Sequence, residues 1–263
     1  MILSRRDLGK LAFAKLIDSK FHGVMIGSQS YSFRDRSLDD CIAAFKDIGI
    51  GYCELSTDHV NPKDTAEAKR VRQKFDDAGI VLYAFAYNIR EDWSDAQIET
   101  GFQMAQAMRL DKMTCTTRVS MAPRIYPFAE KYRIVVGMHN HDSTKEDEFA
   151  TPESFAKAME GRSKWIKINL DIGHFTAANF DPVAFIEEHH ADIITLHIKD
   201  RKRDHGPNMP FGEGDTNIKG VLQLLKEKRY PIPAMIEYEY GKPGMDSVVE
   251  VRKSFEYMKQ ALA

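Results

Sequence analysis

From residue 24 onward, short apolar segments alternate eight times with segments whose apolar residues have helical spacing. The first helical segment is the clearest, because Leu38, Ile42, Phe45 and Ile48 fall on one face of a helix. Such alternation implies parallel strands joined by helical crossovers. Eight units in about 250 residues is the pattern of a (β/α)8 TIM barrel. We therefore predict fold class α/β, with one TIM-barrel domain over residues 21–263.

The predicted elements can be placed along the chain. The strands are predicted over residues 24–30, 52–55, 80–86, 112–116, 134–139, 165–171, 192–197 and 233–239. The helices are predicted over residues 38–48, 65–78, 96–108, 121–132, 152–159, 182–188, 218–226 and 247–262. An open doubly wound sheet is the alternative fold. It is disfavoured because the residues at 28–31, after the first strand, carry no GxGxxG phosphate loop.

The N-terminus is treated separately from the barrel. The segment SRRDLGK at residues 4–10 resembles a twin-arginine export motif. An export signal also needs an apolar stretch of about 7–15 residues, and here Lys15, Asp18 and Lys20 interrupt it. We interpret residues 1–20 as a leader remnant or a tail. The sequence as it stands indicates the cytoplasm, and the periplasm is the alternative localisation.

Charge and composition bear on the partners. The net charge of −2 gives no overall field that would attract nucleic acid or an anionic membrane. No apolar run reaches the roughly 18 residues of a membrane span. The three cysteines lack zinc-type spacing and are predicted to be core residues. We expect a small-molecule partner, with no nucleic acid and no membrane, and a homodimer is left open.

Four predicted strands end in residues that can bind a metal. His139, Asp171, His197 and Glu237 lie at the ends of strands five to eight, at intervals close to the roughly 30 residues of one βα unit. Functional side chains of a barrel sit at these strand ends, so we expect the four to converge on one divalent cation. Two imidazoles and two carboxylates suit Mn²⁺, which we favour, or Co²⁺, Fe²⁺, Zn²⁺ or Mg²⁺.

Further residues near the same strand ends are candidates for contact with a substrate. His141 and Glu239 each lie two residues beyond a predicted ligand and share its face of the strand. His174 follows Asp171 after a glycine turn, where it could hold a ligand or a sugar hydroxyl. The aromatic residues Tyr31 and Phe211 fall in strand-end loops, where their rings would suit a sugar.

These motifs also carry a family resemblance. The runs LDIGH, LHIKDR, the GEGD loop at residues 212–215 and IEYE are similar to those of xylose isomerase-like barrels, the sugar phosphate isomerase/epimerase superfamily, and the likeness covers nearly the whole chain from residue 24. The resemblance implies metal ligands at Asp171, His197 and Glu237. At strand five, His139 stands where the family has Glu. With this departure, the sequence resembles more the branch that contains inosose dehydratase-like proteins and enzymes that act on 3-keto-glycosides.

The resemblance implies a metal-dependent sugar isomerase or epimerase, or a carbon–oxygen lyase, that acts on a keto-sugar or sugar derivative. The metal would bind the substrate as a Lewis acid and stabilise a metal-bound enediolate. Such a reaction needs an acid/base group within reach of the reacting carbon. Glu54, at the end of strand two, and Lys199, two residues after His197, are the catalytic candidates. An endonuclease IV-like DNA repair enzyme and a catalytically silent sugar-binding barrel remain the alternatives.

Overall fold

Eight parallel strands form a closed barrel in the computed structural model, which describes residues 15–241 and 244–263. The strands are β1 Val24–Gln29, β2 Tyr52–Ser56, β3 Val81–Ala86, β4 Lys112–Cys115, β5 Val135–His139, β6 Ile166–Asp171, β7 Ile193–Ile198 and β8 Ala234–Ile236. Each strand pairs with its neighbour in parallel, and β8 closes the barrel on β1. The predicted TIM barrel is therefore confirmed.

Helices connect the strands. They are α1 Leu38–Ile48, α2 Thr65–Ala78, α3 Asp95–Ala107, α4 Ala122–Tyr132, α5 Pro152–Met159, α6 Ile172–Ala177, α7 Pro182–His189, α8 Ile218–Lys228 and α9 Ser247–Leu262. Local chemistry sets their ends. Asp181 caps α7 by accepting from the backbone N–H of Val183 and Ala184. Gly49 and Gly79 end α1 and α2 in the left-handed conformation that glycine adopts at little cost.

The sequence did not predict α6, and it overestimated β8. The helix α6 has six residues, too few for a helical period to be visible, and it begins because the Asp171 side chain caps it. The final strand ends at Ile236 instead of residue 239. The polar loop after β7 also contains a two-stranded ladder, which pairs Asp200–Arg201 with Asn208–Met209. All three differences lie beside the C-terminal ends of the strands.

Residues just before the barrel contact it. The Ile17 N–H donates to the Gly79 carbonyl, and Ser19 Oγ donates to the Ile26 carbonyl and accepts from the Gly51 N–H. The domain boundary at residue 20 stays a prediction. The twin-arginine-like segment lies outside the described residues. Within the described part of the chain, no helix has both the length and the apolarity needed to cross a membrane.

The hydrophobic core holds the helices against the barrel. Phe45 of α1, Phe75 of α2 and Phe102 of α3 are fully buried, and the rings of Phe45 and Phe75 meet edge to face at 6.5 Å. The strand register then places the polar C-terminal ends of neighbouring strands side by side. Asp171 of β6 lies opposite His197 of β7, at the end where functional residues of this fold collect.

Candidate metal and substrate site

Four side chains from consecutive strand ends meet at the C-terminal end of the barrel. One potential ligand atom from each of His139, Asp171, His197 and Glu237 lies within 4.8 Å of the others, and all four residues are buried. Glu237 follows β8 directly, and its backbone N–H donates to the Ile198 carbonyl, which fixes its place beside β7. The four residues predicted as metal ligands are therefore brought together.

Lys199 lies among the carboxylates of this cluster. Its Nζ is 3.1 Å from Asp171 Oδ2, 3.0 Å from Glu237 Oε2 and 2.6 Å from Glu239 Oε2. Although burial lowers it, the pKa of Lys199 is raised above its ordinary value by these three carboxylates. Lys199 is therefore an ammonium ion here.

Asp171 is fully buried and uses its two carboxylate oxygens differently. The Oδ1 atom accepts from the His174 N–H at 2.7 Å and so caps α6. The Oδ2 atom accepts no hydrogen bond, although the Lys199 ammonium lies beside it. Burial raises the pKa of Asp171 to about 7, with Lys199 opposing the rise. A buried carboxylate oxygen of this kind favours a cation as its partner.

His197 lies between two carboxylates. Its Nε2 is 3.0 Å from Glu54 Oε1, and its Nδ1 is 2.9 Å from Glu237 Oε2. Burial lowers the pKa of His197, but Glu54 and Glu237 outweigh burial and raise it well above its ordinary value. Glu54 also accepts from Gln29 Nε2 and Thr114 Oγ1. The Glu54 carboxylate thus fixes the orientation of the imidazole.

A second histidine group adjoins the first. His139, His141 and His174 also bring one nitrogen each within 4.8 Å of one another. Burial lowers the pKa of all three rings, and Lys199 lowers each further. His174 has both nitrogens engaged, since Arg201 Nη1 lies 2.6 Å from Nδ1 and Lys199 Nζ lies 3.0 Å from Nε2. Because two cationic side chains hold His174, it is a poor ligand for an additional metal.

A cavity of about 290 Å³ opens above these residues. It is lined by Gln29, Tyr31, Ser56, Thr57, Asp58, Ala86, Asn88, Thr114, Cys115, Thr116, His139, His141, Asn169, His174, His197, Glu237 and Glu239. Four of the predicted substrate-binding residues are in this set: Tyr31, His141, His174 and Glu239. Sequence reasoning missed the amides Gln29, Asn88 and Asn169. The signal available for Asn169 was its position two residues before Asp171, on the same face of β6.

Four predicted residues, Asp171, Glu54, Lys199 and Phe211, lie outside the cavity wall. Glu54 is completely buried behind His197, so a ligand in the cavity does not reach its carboxylate. Lys199 is only 2% exposed. It does not line the cavity itself, but it binds Glu237 and Glu239, which do. Phe211 packs against Tyr257 of α9, with ring centroids 6.0 Å apart. These placements do not support substrate contact by Glu54 or Phe211.

The remaining family-like motifs have structural roles. Asp200 Oδ2 accepts from the N–H groups of Gly212 and Gly214, at 2.8 and 3.0 Å, so the GEGD loop folds around this carboxylate. Gly173 of the LDIGH run lies so close to Lys199 that a Cβ atom there would meet the Lys199 carbonyl at 2.7 Å. Glycine at this position therefore lets α6 pack directly against the segment that carries Lys199.

The donor set fits a divalent cation. Imidazole nitrogens and carboxylate oxygens are the ligands that such cations take in mixed N/O sites. Asp171 Oδ2 accepts no hydrogen bond, and the buried carboxylates of Asp171 and Glu237 share the single Lys199 ammonium, so the pair can accommodate further positive charge. His197 is also oriented by a carboxylate on its far nitrogen, as metal-bound histidines commonly are.

Comparison with known proteins identifies related sequences. A family model for the xylose isomerase-like TIM barrel matches residues 42–261. The L-ribulose-5-phosphate 3-epimerase UlaE of Escherichia coli is 29% identical over 99 residues, which is 38% of this chain and 34% of that protein. The match therefore spans about a third of the length of this curated relative.

Solved structures share the fold. The 3-keto-D-glucoside 4-epimerase YcjR from E. coli superposes with a TM-score of 0.73 at 12% identity, over 90% of this chain and 99% of that one. A sugar phosphate isomerase/epimerase from Parabacteroides distasonis gives 0.68 at 17% identity, over 95% and 98% of the two chains. An L-ribulose 3-epimerase gives 0.73 at 13% identity, over 91% and 94%. Identities this low establish the fold alone.

Proposed function

The chain belongs to the xylose isomerase-like TIM barrel family, as its sequence motifs predicted, and on that premise we propose that it is a metal-dependent enzyme that isomerises or epimerises a keto-sugar or a sugar derivative. Elimination of a β-hydroxyl or glycosidic oxygen is the related lyase reaction. The observation that carries the proposal is the convergence of four buried ligand atoms within 4.8 Å. The names of the relatives, which are sugar epimerases and isomerases, agree with it.

The proposed cation is Mn²⁺, with Co²⁺, Fe²⁺, Zn²⁺ and Mg²⁺ as alternatives, held by His139, Asp171, His197 and Glu237. Bound there, it would act as a Lewis acid that stabilises the negative charge of an enediolate. The protein contributes the rest of the chemistry. It encloses the substrate among the hydroxyl, amide and imidazole groups of the cavity wall, and it must supply an acid/base group that reaches the reacting carbon.

We assign proton transfer to Glu239, assisted by Lys199. Glu239 lines the cavity, is not one of the four ligands, and keeps its side chain 25% exposed. Its Oε2 accepts from the Lys199 ammonium at 2.6 Å, which orients the carboxylate. Lys199 thus acts as a charged hydrogen-bond donor within the acid/base pair. The carboxylate of Glu239 removes the proton from one carbon and returns it to the neighbouring carbon, which isomerises the sugar; epimerisation also requires a proton donor on the opposite face of the enediolate.

Glu54 receives a positioning role in this proposal. In the metal-bound form, Nε2–H of His197 would donate to the Glu54 carboxylate, which would leave Nδ1 facing Glu237 and the other ligands. Gln29 and Thr114 hold Glu54 from two further directions. Groups that orient a metal-binding histidine in this way typically contribute about 10–100-fold to metal affinity.

Substitution Glu54→Gln tests the positioning role. We expect affinity for Mn²⁺, measured by titration calorimetry, to fall about 10–100-fold, because the amide can present its NH₂ group to His197 and disturb its tautomer. Nitrogen NMR of the His197 ring should report that change directly. Glu130→Gln, at an exposed position on α4, is the matched control. A loss of activity with unchanged Mn²⁺ affinity and tautomer would instead indicate that Glu54 is the base.

Solvent exchange tests the proposed reaction. Protein loaded with Mn²⁺ is expected to replace a C–H hydrogen beside the carbonyl of a keto-sugar with solvent deuterium, which proton NMR detects. The panel should contain free keto-sugars and 3-keto-glycosides. Failure of every compound, with bound metal verified by elemental analysis, contradicts the enzyme proposal and favours a sugar-binding barrel without catalysis. Salt-dependent affinity for abasic DNA would favour the DNA repair alternative.

A further inference from the structure

We propose that the cavity selects an uncharged sugar, free or glycosidic, and discriminates against sugar phosphates. This inference rests on the proposed sugar site and adds the substrate class to it. It is carried by two features of the cavity wall: the types of charged side chain that it contains, and a buried amide oxygen that lacks a donor.

The cavity wall contains acidic side chains and no lysine or arginine, within the part of the chain that the structure describes. Asp58, Glu237 and Glu239 line it. Phosphate sites in proteins are built from Arg or Lys side chains and from backbone N–H groups at helix N-termini. The short helical turn Thr57–His59 beside the cavity carries Asp58 in its first turn, and this carboxylate disfavours an anion there. Away from the proposed metal ion, a phosphate group in this cavity would therefore face carboxylates without a compensating cationic side chain.

The two cationic side chains beneath the cavity are fully engaged. The ammonium of Lys199 contacts three carboxylates. The guanidinium of Arg201 pairs with Asp142 at 3.0 Å and donates to the Gly206 carbonyl and to His174. Lys199 is 2% exposed and Arg201 is 8% exposed. Neither side chain is free to bind a phosphate without giving up buried partners, which is costly.

Three arginines near the mouth of the cavity line neighbouring grooves and have partners there. Arg90 and Arg118 line a neighbouring groove, where Arg90 pairs with Asp92 and Arg118 pairs with Glu91. Arg34 lies over the Tyr31 ring, but it lines a separate groove and donates to the backbone carbonyls of Tyr31 and Tyr238. None of these three arginines lines the cavity itself.

Gln29 indicates what the cavity binds instead. Its Nε2 donates to Glu54, and a carboxylate only accepts, so the amide orientation is fixed. Its Oε1 is then a buried acceptor without a donor, in a residue that lines the cavity. Asn169 Oδ1 is likewise buried without a donor. Sugar hydroxyls donate hydrogen bonds and would satisfy such oxygens, so this feature favours a polyhydroxylated ligand, and the charged side chains of the wall are what discriminate against a phosphate group.

The test compares ligands that differ only in the phosphate. With protein loaded with Mn²⁺, L-ribulose is expected to bind at least about tenfold more tightly than L-ribulose 5-phosphate in titration calorimetry. With metal-stripped protein, inorganic phosphate is expected to bind with a Kd above about 10 mM. Tighter binding of the phosphorylated sugar, or submillimolar phosphate binding that L-ribulose displaces, overturns the inference. If neither sugar binds, the proposed sugar function is contradicted. The phosphate titration still shows separately whether the cavity excludes a phosphate group.

A charge introduced at the cavity should reverse the preference. Thr57 is exposed and lines the cavity, so Thr57→Lys adds a cation there with little disturbance of the fold. We expect the ratio of the two sugar affinities to shift at least about tenfold towards the phosphate. Gln103→Lys, exposed on α3 outside the barrel, adds the same charge elsewhere and should leave the ratio unchanged. Equal shifts in both variants would indicate a general charge effect and contradict the inference.

Discussion

Replacing Lys199 with Met is expected to lower the free energy of unfolding of the metal-stripped protein by about 3–5 kcal/mol. The ammonium is 2% exposed and lies within about 3 Å of Asp171, Glu237 and Glu239. Methionine has a similar length and no charge, so it leaves three neighbouring carboxylates without their cation. Removing one partner of a buried ionic cluster costs this much because the remaining charges stay desolvated and repel one another.

The same variant should become dependent on metal for its stability. Saturating Mn²⁺ supplies positive charge to two of the three carboxylates and is expected to recover most of the loss. Denaturant unfolding with and without chelator measures both effects. Lys167→Met is the matched control, since Lys167 pairs with Asp192 and both side chains are more exposed; about 1 kcal/mol or less is expected there. A loss no larger than that of the control would show that Lys199 is not the counter-ion of the cluster.

The contacts of Lys199 are a part of the site that the sequence did not predict. The alternation of elements and the strand-end positions predicted the barrel and the convergence of the four ligand residues, because parallel strands place their ends at one edge. Lys199 shares a face with His197 by the period of two along a strand. The sequence could not say that its flexible side chain would reach carboxylates of both flanking strands.

Glu54 illustrates a second limit. It reaches His197 across the barrel, although β2 and β7 are not neighbours in the sheet. Periodicity predicts neighbours along one element, and strand order predicts neighbours within the sheet, but contacts through the barrel interior depend on side-chain length and packing. The same reason explains why Gln29, which donates to Glu54, did not stand out in the sequence as part of the site.

Substitution Asp171→Asn is expected to reduce Mn²⁺ affinity by more than about 100-fold, the upper range for residues that only orient a ligand. The variant separates the two roles of Asp171. Asn is as good a helix cap as Asp, so its side-chain oxygen can still accept from the His174 N–H that Oδ1 binds now. The negative charge near Lys199 and the proposed cation is lost. Solvent-exchange activity should fall together with metal content, while the circular dichroism spectrum stays that of the folded barrel.

The matched control for this variant is Asp181→Asn. Asp181 caps α7 through the same kind of contact, to the N–H groups of Val183 and Ala184, and it is exposed. It should keep both metal affinity and activity. If Asp171→Asn binds Mn²⁺ as tightly as the parent protein, the ion is held elsewhere and the proposed ligand set is wrong. If metal affinity falls while exchange persists, the reaction does not need the cation, and the metal-dependent mechanism is wrong.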